Sequence, residues 1–382
     1  MKNLMSKLVS PVKRFFKRLQ PTRESVKESI KVYHFFQELD FPHQIQRNVE
    51  EIEQEVKRTI LYALLDKTSI EQAAEVVSSK DGDTIRYHLN KLSMDDIEQV
   101  CKEQLLNCLA IIEQQGTLPD KLQLAVDTTD IPYYGNTRDI FVHHKKSEYY
   151  YRYLTITIVN TGFHVLPVIV KPVSVFDTLE DLVNQAVTDL RSITNREVEK
   201  LFADRWFYTV DVVTVLKNHN IPFVIGGKQT AKVKRILKSC PKDGTITSLP
   251  YTMKSGTGET ADVILHVYWN ESREQWFLAI SWGIDSPNEI HDYKHRWGIE
   301  TSYRLHKSLM LSTTTTNSAL RLLYFYLTAI LLACYVCLRL GVFPPCLPLH
   351  ETLVVFVQSE SSLTLYIFRT RLRLLIQQGG GK

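Results

Sequence analysis

Residues 148–173 read EYYYRYLTITIVNTGFHVLPVIVKPV. The stretch 148–160 is aromatic and β-branched, the composition of a strand. Thr161-Gly162 supplies a turn, and FHVLPVIVKPV (163–173) is a second apolar run, so the segment predicts a β-hairpin. Upstream, KLQLAVD (121–127) alternates Leu122, Leu124 and Val126 and predicts a strand ending in Asp127. Downstream, DTLEDLVNQAVTDLRSI (177–193) predicts an amphipathic helix with Asp177 as N-cap. KLFAD (200–204) is a short strand ending in Asp204, YTVDVVTVLKNHN (208–220) a helix, and PFVIGG (222–227) a buried strand closed by glycines. Three antiparallel strands followed by alternating helix and strand describe an α/β fold, a mixed sheet with helices on both faces. This is the element order of the RNase H-like fold.

The flanking sequence divides the chain further. Residues 1–31 form a basic arm, with nine Lys and Arg against Glu24 and Glu28, while the whole chain carries only +4. Such an arm suits nucleic acid or an anionic surface. Residues 32–118 read as a helical DNA-binding region. Within it SIEQAAEVV and TIRYHLNKL (84–92) bracket a Gly82 turn like a helix-turn-helix, with Arg86, His88 and Lys91 on its second helix. The sheet's first part spans 119–227. Residues 228–285 read as a β-rich insertion, with VILHVYW (263–269) and WFLAISW (276–282) as strands. Ser286-Pro287-Asn288-Glu289 is a capping box, predicting a helix to about residue 310 within the closing core segment 286–345. Residues 346–382 form a C-terminal segment and tail.

Composition narrows the class. Apolar residues at 44% and charged residues at 23% exclude global disorder, and six cysteines do not make a disulfide framework. The charge-interrupted start excludes an ordinary secretory signal. The uncharged run 322–338 (LLYFYLTAILLACYVCL) is at the short edge of a membrane span and is expected to be a buried core helix.

Three acids occupy special places: Asp127 and Asp204 at strand ends, and Glu300 on the helix after the insertion. In this topology the first and fourth strands are neighbours, so the two aspartates can stand side by side with the glutamate opposite. Clustered carboxylates repel unless a cation joins them, and hard oxygen ligands suit Mg²⁺ or Mn²⁺. Two such ions can activate a nucleophile and stabilise a leaving oxygen in phosphoryl transfer. On the helix, Tyr293, Arg296, Glu300 and Lys307 fall within a roughly 60° sector at about 100° per residue. That face offers one carboxylate for metal and three donors for phosphate oxygens.

The spacing Y-(2)-R-(3)-E-(6)-K at Tyr293, Arg296, Glu300 and Lys307 resembles the Y-R-E-K signature of DDE transposases from prokaryotic insertion sequences, in particular the IS-four-like group. AVDTTDIPYYG (125–135) and FADRWFYTVDVVTVLK (202–217) resemble that family's two aspartate motifs, and RWGIETSYR (296–304) its third. Trp206 departs from the pattern, standing where glycine or glutamate often follows the Asp-Arg pair. The resemblance implies that Asp127, Asp204 and Glu300 are catalytic metal ligands for two Mg²⁺ or Mn²⁺ ions. Tyr293, Arg296 and Lys307 would bind DNA, joined by Arg304 and Arg205. It also implies cleavage at terminal inverted repeats, strand transfer into target DNA, a homodimer on DNA, no ATP, and a place on the cytoplasmic nucleoid. Trp269, Trp276 and Trp282 are candidates to stack a flipped base. Two other readings remain: a catalytically decayed protein that binds the repeats, and a protein anchored in a membrane through 322–338.

Overall fold

The computed structural model describes residues 50–136, 138–161, 164–284 and 287–339. The basic arm, residues 32–49, the turn residues Gly162 and Phe163, Ser286 of the capping box and the segment beyond 339 lie outside the described residues. The chain forms two compact units: Leu105–Lys307, and Met1–Gln104 together with Ser308–Lys382.

The first unit is built on a nine-stranded sheet among the described residues. Its strands are β1 (Lys121–Tyr133), β2 (Val142–Lys145), β3 (Glu148–Thr161), β4 (His164–Val173), β5 (Glu197–Ala203), β6 (Phe223–Gly226), β7 (Thr247–Lys254), β8 (Thr260–Asn270) and β9 (Gln275–Trp282). The order is β2-β3-β1-β5-β6-β9-β8-β7, with β4 also paired to β3. The predicted hairpin is β3 and β4, in register from Arg152↔Val173 to Thr161↔His164. Pairs β1·β5 and β5·β6 are parallel, and the rest are antiparallel. Residues 228–285 carry β7, β8 and β9, which extend this same sheet, because β9 pairs with β6. The basic stretch His143–Lys145 lies on strand β2.

Helices α5 (Leu179–Ile193), α6 (Val210–Asn218) and α7 (Ala231–Leu237) connect the strands. The cap of α5 is Thr178, whose hydroxyl accepts from the Asp181 amide; Asp177, the expected cap, instead accepts from the Ser174 amide at 2.6 Å. Phe202, Val224, Ala279, Ile290 and Ile299 form a dry core under the site.

The expected single helix from 286 to 310 is two. Pro287–Arg296 winds as a 3-10 helix and Trp297–Leu309 as α8. Successive residues in the tighter winding turn about 120°, so side chains three apart eclipse. Asp292 and His295 therefore share one row and Tyr293 and Arg296 the next. Tertiary bonds made by all four side chains offset the poorer 3-10 hydrogen-bond geometry. At the start of α8, Gly298 allows close approach to the hairpin: a Cβ there would stand 2.9 Å from Val165 Cγ1.

The second unit is helical. It contains α1 (Glu50–Asp66), α2 (Ile70–Val77), α3 (Gly82–Leu89), the first half of α4 (Met94–Gln114), and α9 (Ser318–Arg339). α9 is long and apolar enough to cross a membrane by composition, and its apolar stretch is fully buried. The pair α2–α3 exists as predicted, but Arg86 is bound to Glu71 (3.0 Å) and Asp83. Tyr87 is exposed beside it, with Lys91 4.1 Å above its ring.

Candidate active site

Parallel pairing of β1 with β5 ends at Val126↔Ala203, so the next residues, Asp127 and Asp204, emerge side by side. Asp204 leaves the sheet and caps the 3-10 turn Arg205–Phe207, its carboxylate accepting from the Trp206 amide at 2.6 Å. Asp127 does not end its strand, as the sequence reading had it. β1 runs on to Tyr133 because β3 still pairs with it, from Asp127↔Thr155 to Tyr133↔Tyr149. What ends at Asp127 is the pairing with β5.

Glu300 lies on α8, four residues after Arg296. The Arg296 guanidinium lies between two acids, with Nη2 2.9 Å from Glu300 Oε1 and Nη1 3.5 Å from Asp127 Oδ2. Burial pushes the Asp127 carboxyl up to about 6. The negative charges of Asp204 and Glu300 push the same way; the Thr128 amide and Arg296 oppose. The three acids therefore share one electrostatic neighbourhood. Their oxygens are suitable donors for a hard divalent cation. As placed, with Arg296 between Asp127 and Glu300, no three His, Cys, Asp or Glu side chains among the described residues are close enough to hold a metal ion.

Tyr293 donates its hydroxyl to the Ala203 carbonyl at 3.0 Å, one residue before Asp204. Burial pushes this phenol up to about 12, and Asp204 and Asp127 add to the shift, so it stays protonated and keeps donating. The hydroxyl reaches there because residue 226 is glycine: a Cβ would stand 2.6 Å from Tyr293 Oη and 3.1 Å from the Arg205 amide nitrogen. Adjacent glycines closing a strand signal such an approach, though not what approaches. Tyr303 reaches the site from α8 and bonds the Thr155 hydroxyl at 2.8 Å. Asp130 is held by Arg152 opposite it in the sheet, at 2.7 and 2.9 Å.

The structure thus brings Asp127, Asp204, Glu300, Tyr293 and Arg296 together. Arg304 and Lys307 are exposed on α8, and among the described residues no ion pair joins them to the three acids. Arg205 belongs to a cavity of about 830 Å³ beside the acids. Its wall carries Arg205, Lys228, Arg273, Lys294 and Arg296 together with Trp276. The sequence alone did not single out Lys228, Arg273 and Lys294: Lys228 follows β6, Arg273 ends a 3-10 turn between β8 and β9, and Lys294 lies on the 3-10 helix Pro287–Arg296, so they are far apart in sequence and meet only in the fold. Of the other tryptophans, Trp269 packs edge-on against Trp276 and Trp282 stacks on Phe223.

A mixed sheet whose central parallel pair delivers two aspartates beneath a helix-borne glutamate, next to a cation-lined cavity, defines a class of phosphate-handling nucleic-acid enzymes. Residues 118–333 match the family described as Transposase DDE domain, and the chain belongs to that family: it is a DDE transposase, an enzyme of DNA transposition. Among solved structures it is similar to one described as the cryo-EM structure of piggyBac transposase synaptic complex with hairpin DNA. That likeness has a TM-score of 0.52 at 13% identity, covers 95% of this chain and 79% of the other, and concerns the fold. No curated protein sequence matches.

Proposed function

We propose that Asp127, Asp204 and Glu300 are the catalytic carboxylates of a cut-and-paste transposase of the IS-four-like group, holding two Mg²⁺ or Mn²⁺ ions at the ends of its element. The carrying observation is the joint placement of the two aspartates at the end of β1·β5 pairing with Glu300 linked to Asp127 through Arg296. The bound cations would supply water activation and charge neutralisation at the leaving oxygen.

The chain's own residues then divide the work. Asp127 and Glu300 would hold the cations, and Arg296, which now pairs with both, would give its donors to a DNA phosphate, a charge-assisted partner. Tyr293 fixes the backbone before Asp204 by its bond to Ala203. Lys307, Arg304 and Arg205 bind DNA backbone. The cavity's cations and Trp276 suit a displaced nucleotide, phosphate against cation and base against indole. Trp276 is favoured over Trp269 and Trp282 because it lines this cavity.

The arm 1–31 and the helical region 32–118 would bind the terminal inverted repeats, and the core would engage target DNA. A homodimer holds two ends together, without ATP, on the cytoplasmic nucleoid. The complete burial of α9's apolar stretch supports a core role for it. Asp204→Asn tests the assignment. It should abolish Mg²⁺-dependent cleavage of a duplex carrying the element's ends, with end binding and fold retained. Cleavage near the wild-type rate sinks the reading.

A further inference from the structure

Beneath the 3-10 helix lies a polar cluster that none of the roles above uses. Lys200 on β5 is 1% exposed. Its ammonium bonds Asp292 Oδ2 at 3.2 Å and lies 3.0 Å from Glu199 Oε1. The Gln123 amide donates to Glu199 at 3.1 Å, and its carbonyl bonds His295 Nδ1 at 3.0 Å. The register between β1 and β5 slips here: Leu122 faces Val198, but Gln123 faces Lys200. Glu199 is thus the extra residue of a bulge, a device that re-aims side chains beside functional sites.

A buried ammonium is costly unless paired, and a buried ion pair gains little stability over an apolar replacement; its best-attested use is to fix register. Register is what this segment needs. Because side chains three apart eclipse in a 3-10 helix, the row Asp292/His295 faces the cluster while the row Tyr293/Arg296 faces the aspartates. A shift of one residue turns the helix by about 120° and takes the row Tyr293/Arg296 off the aspartates.

We propose that Lys200 and Asp292, seconded by His295 on Gln123, form an ionic clamp that sets the register of Pro287–Arg296 and so aims Tyr293 and Arg296 at the catalytic acids. These are positioning residues, acting through Arg296, and the inference rests on the catalytic reading above.

The test uses full-length protein and a duplex carrying the element's ends, with binding and single-turnover cleavage measured separately. Asp292→Asn keeps size and removes a negative charge near a phosphate site. If the charge only repelled DNA, binding would tighten and cleavage at saturating DNA would hold. The clamp instead requires cleavage at saturating DNA to fall on the order of 10- to 100-fold, since an ångström of misplacement costs that much, with affinity within about threefold. The loss should not multiply with that of Arg296→Ala, because both remove one effect. Lys200→Met should behave alike; if it fails to fold, Asp292→Asn at the half-exposed end carries the test. Cleavage by folded Asp292→Asn within about twofold of wild type, or losses that multiply with Arg296→Ala, overturns the clamp. Should wild type not cut at all in Mg²⁺, the catalytic reading falls and takes the clamp with it.

Discussion

An aspartate in water ionises near pH 4. Asp127 keeps its proton to about pH 6, because burial and two neighbouring acids disfavour its charge. The folded chain therefore binds more protons than the unfolded chain between those values, and stability is lost as pH rises through that window. A shift of this size corresponds to on the order of 3 kcal/mol. In the absence of divalent cations, Asp127→Asn should raise the melting temperature at pH 7.5, by up to about 2 kcal/mol of stability, and change little at pH 4. Calorimetry at the two pH values checks this. A rise of equal size at both would mean that charge at Asp127 is not the cause. Because proton and cation compete for this carboxyl, the Mg²⁺ concentration needed for half-maximal cleavage should rise as pH drops through about 6.

At the scale of elements, the decisive join is between strand and helix, made by Arg296. Its side chain is 12% exposed, and it spans from Asp127 on β1 to Glu300 on α8. An exposed helical ion pair would be worth under about 1 kcal/mol. Arg296→Ala should cost more in the cation-free protein, about 2 kcal/mol, because Asp127 loses a counter-charge while staying buried. Mg²⁺ should restore stability to this variant more than to wild type. Arg296→Ala should also lower the salt slope of end binding by about one. Equal Mg²⁺ effects on both proteins would show that Arg296 and the cation do not compete for these acids.

The strands and helices that carry these groups were legible because their apolar periodicity is strong. Asp204 was legible because β5 stops there. Asp127 was misplaced at a strand end because alternation cannot show which neighbour a strand keeps. The 3-10 winding was hidden because the capping box announces a helix but not its pitch, which the bonds of residues 292–296 decide. Lys200 gave no sign: a lysine before Leu-Phe-Ala looks like a strand's solvated start until its partner from 92 residues away is seen.

For the whole molecule, the division into two units makes the sheet-bearing one continuous, from Leu105 to Lys307, and the helical one discontinuous. A fragment spanning α4 to α8, residues 94–309, should fold cooperatively and keep the pH-dependent stability assigned to Asp127. A fragment of residues 50–104 should not, since it lacks α9. Circular dichroism and thermal melts of both fragments check this; cooperative melting of the shorter one would show that α9 is dispensable to that unit.

The discontinuity of the helical unit has a consequence for biosynthesis. α1 buries Ile60, Leu61, Leu64 and Leu65, and the later segment meets this unit through the Ser312 amide on the Thr68 carbonyl and Asn317 on Asn90. On the ribosome those early helices emerge first and wait through some two hundred residues of sheet before their companion segment, Ser308 onward, is translated. Until then the early helices lack the segment that completes their unit. A messenger cut short before α9 yields a polypeptide holding all three acids yet with its first helices uncovered, a product suited to degradation before it can damage DNA.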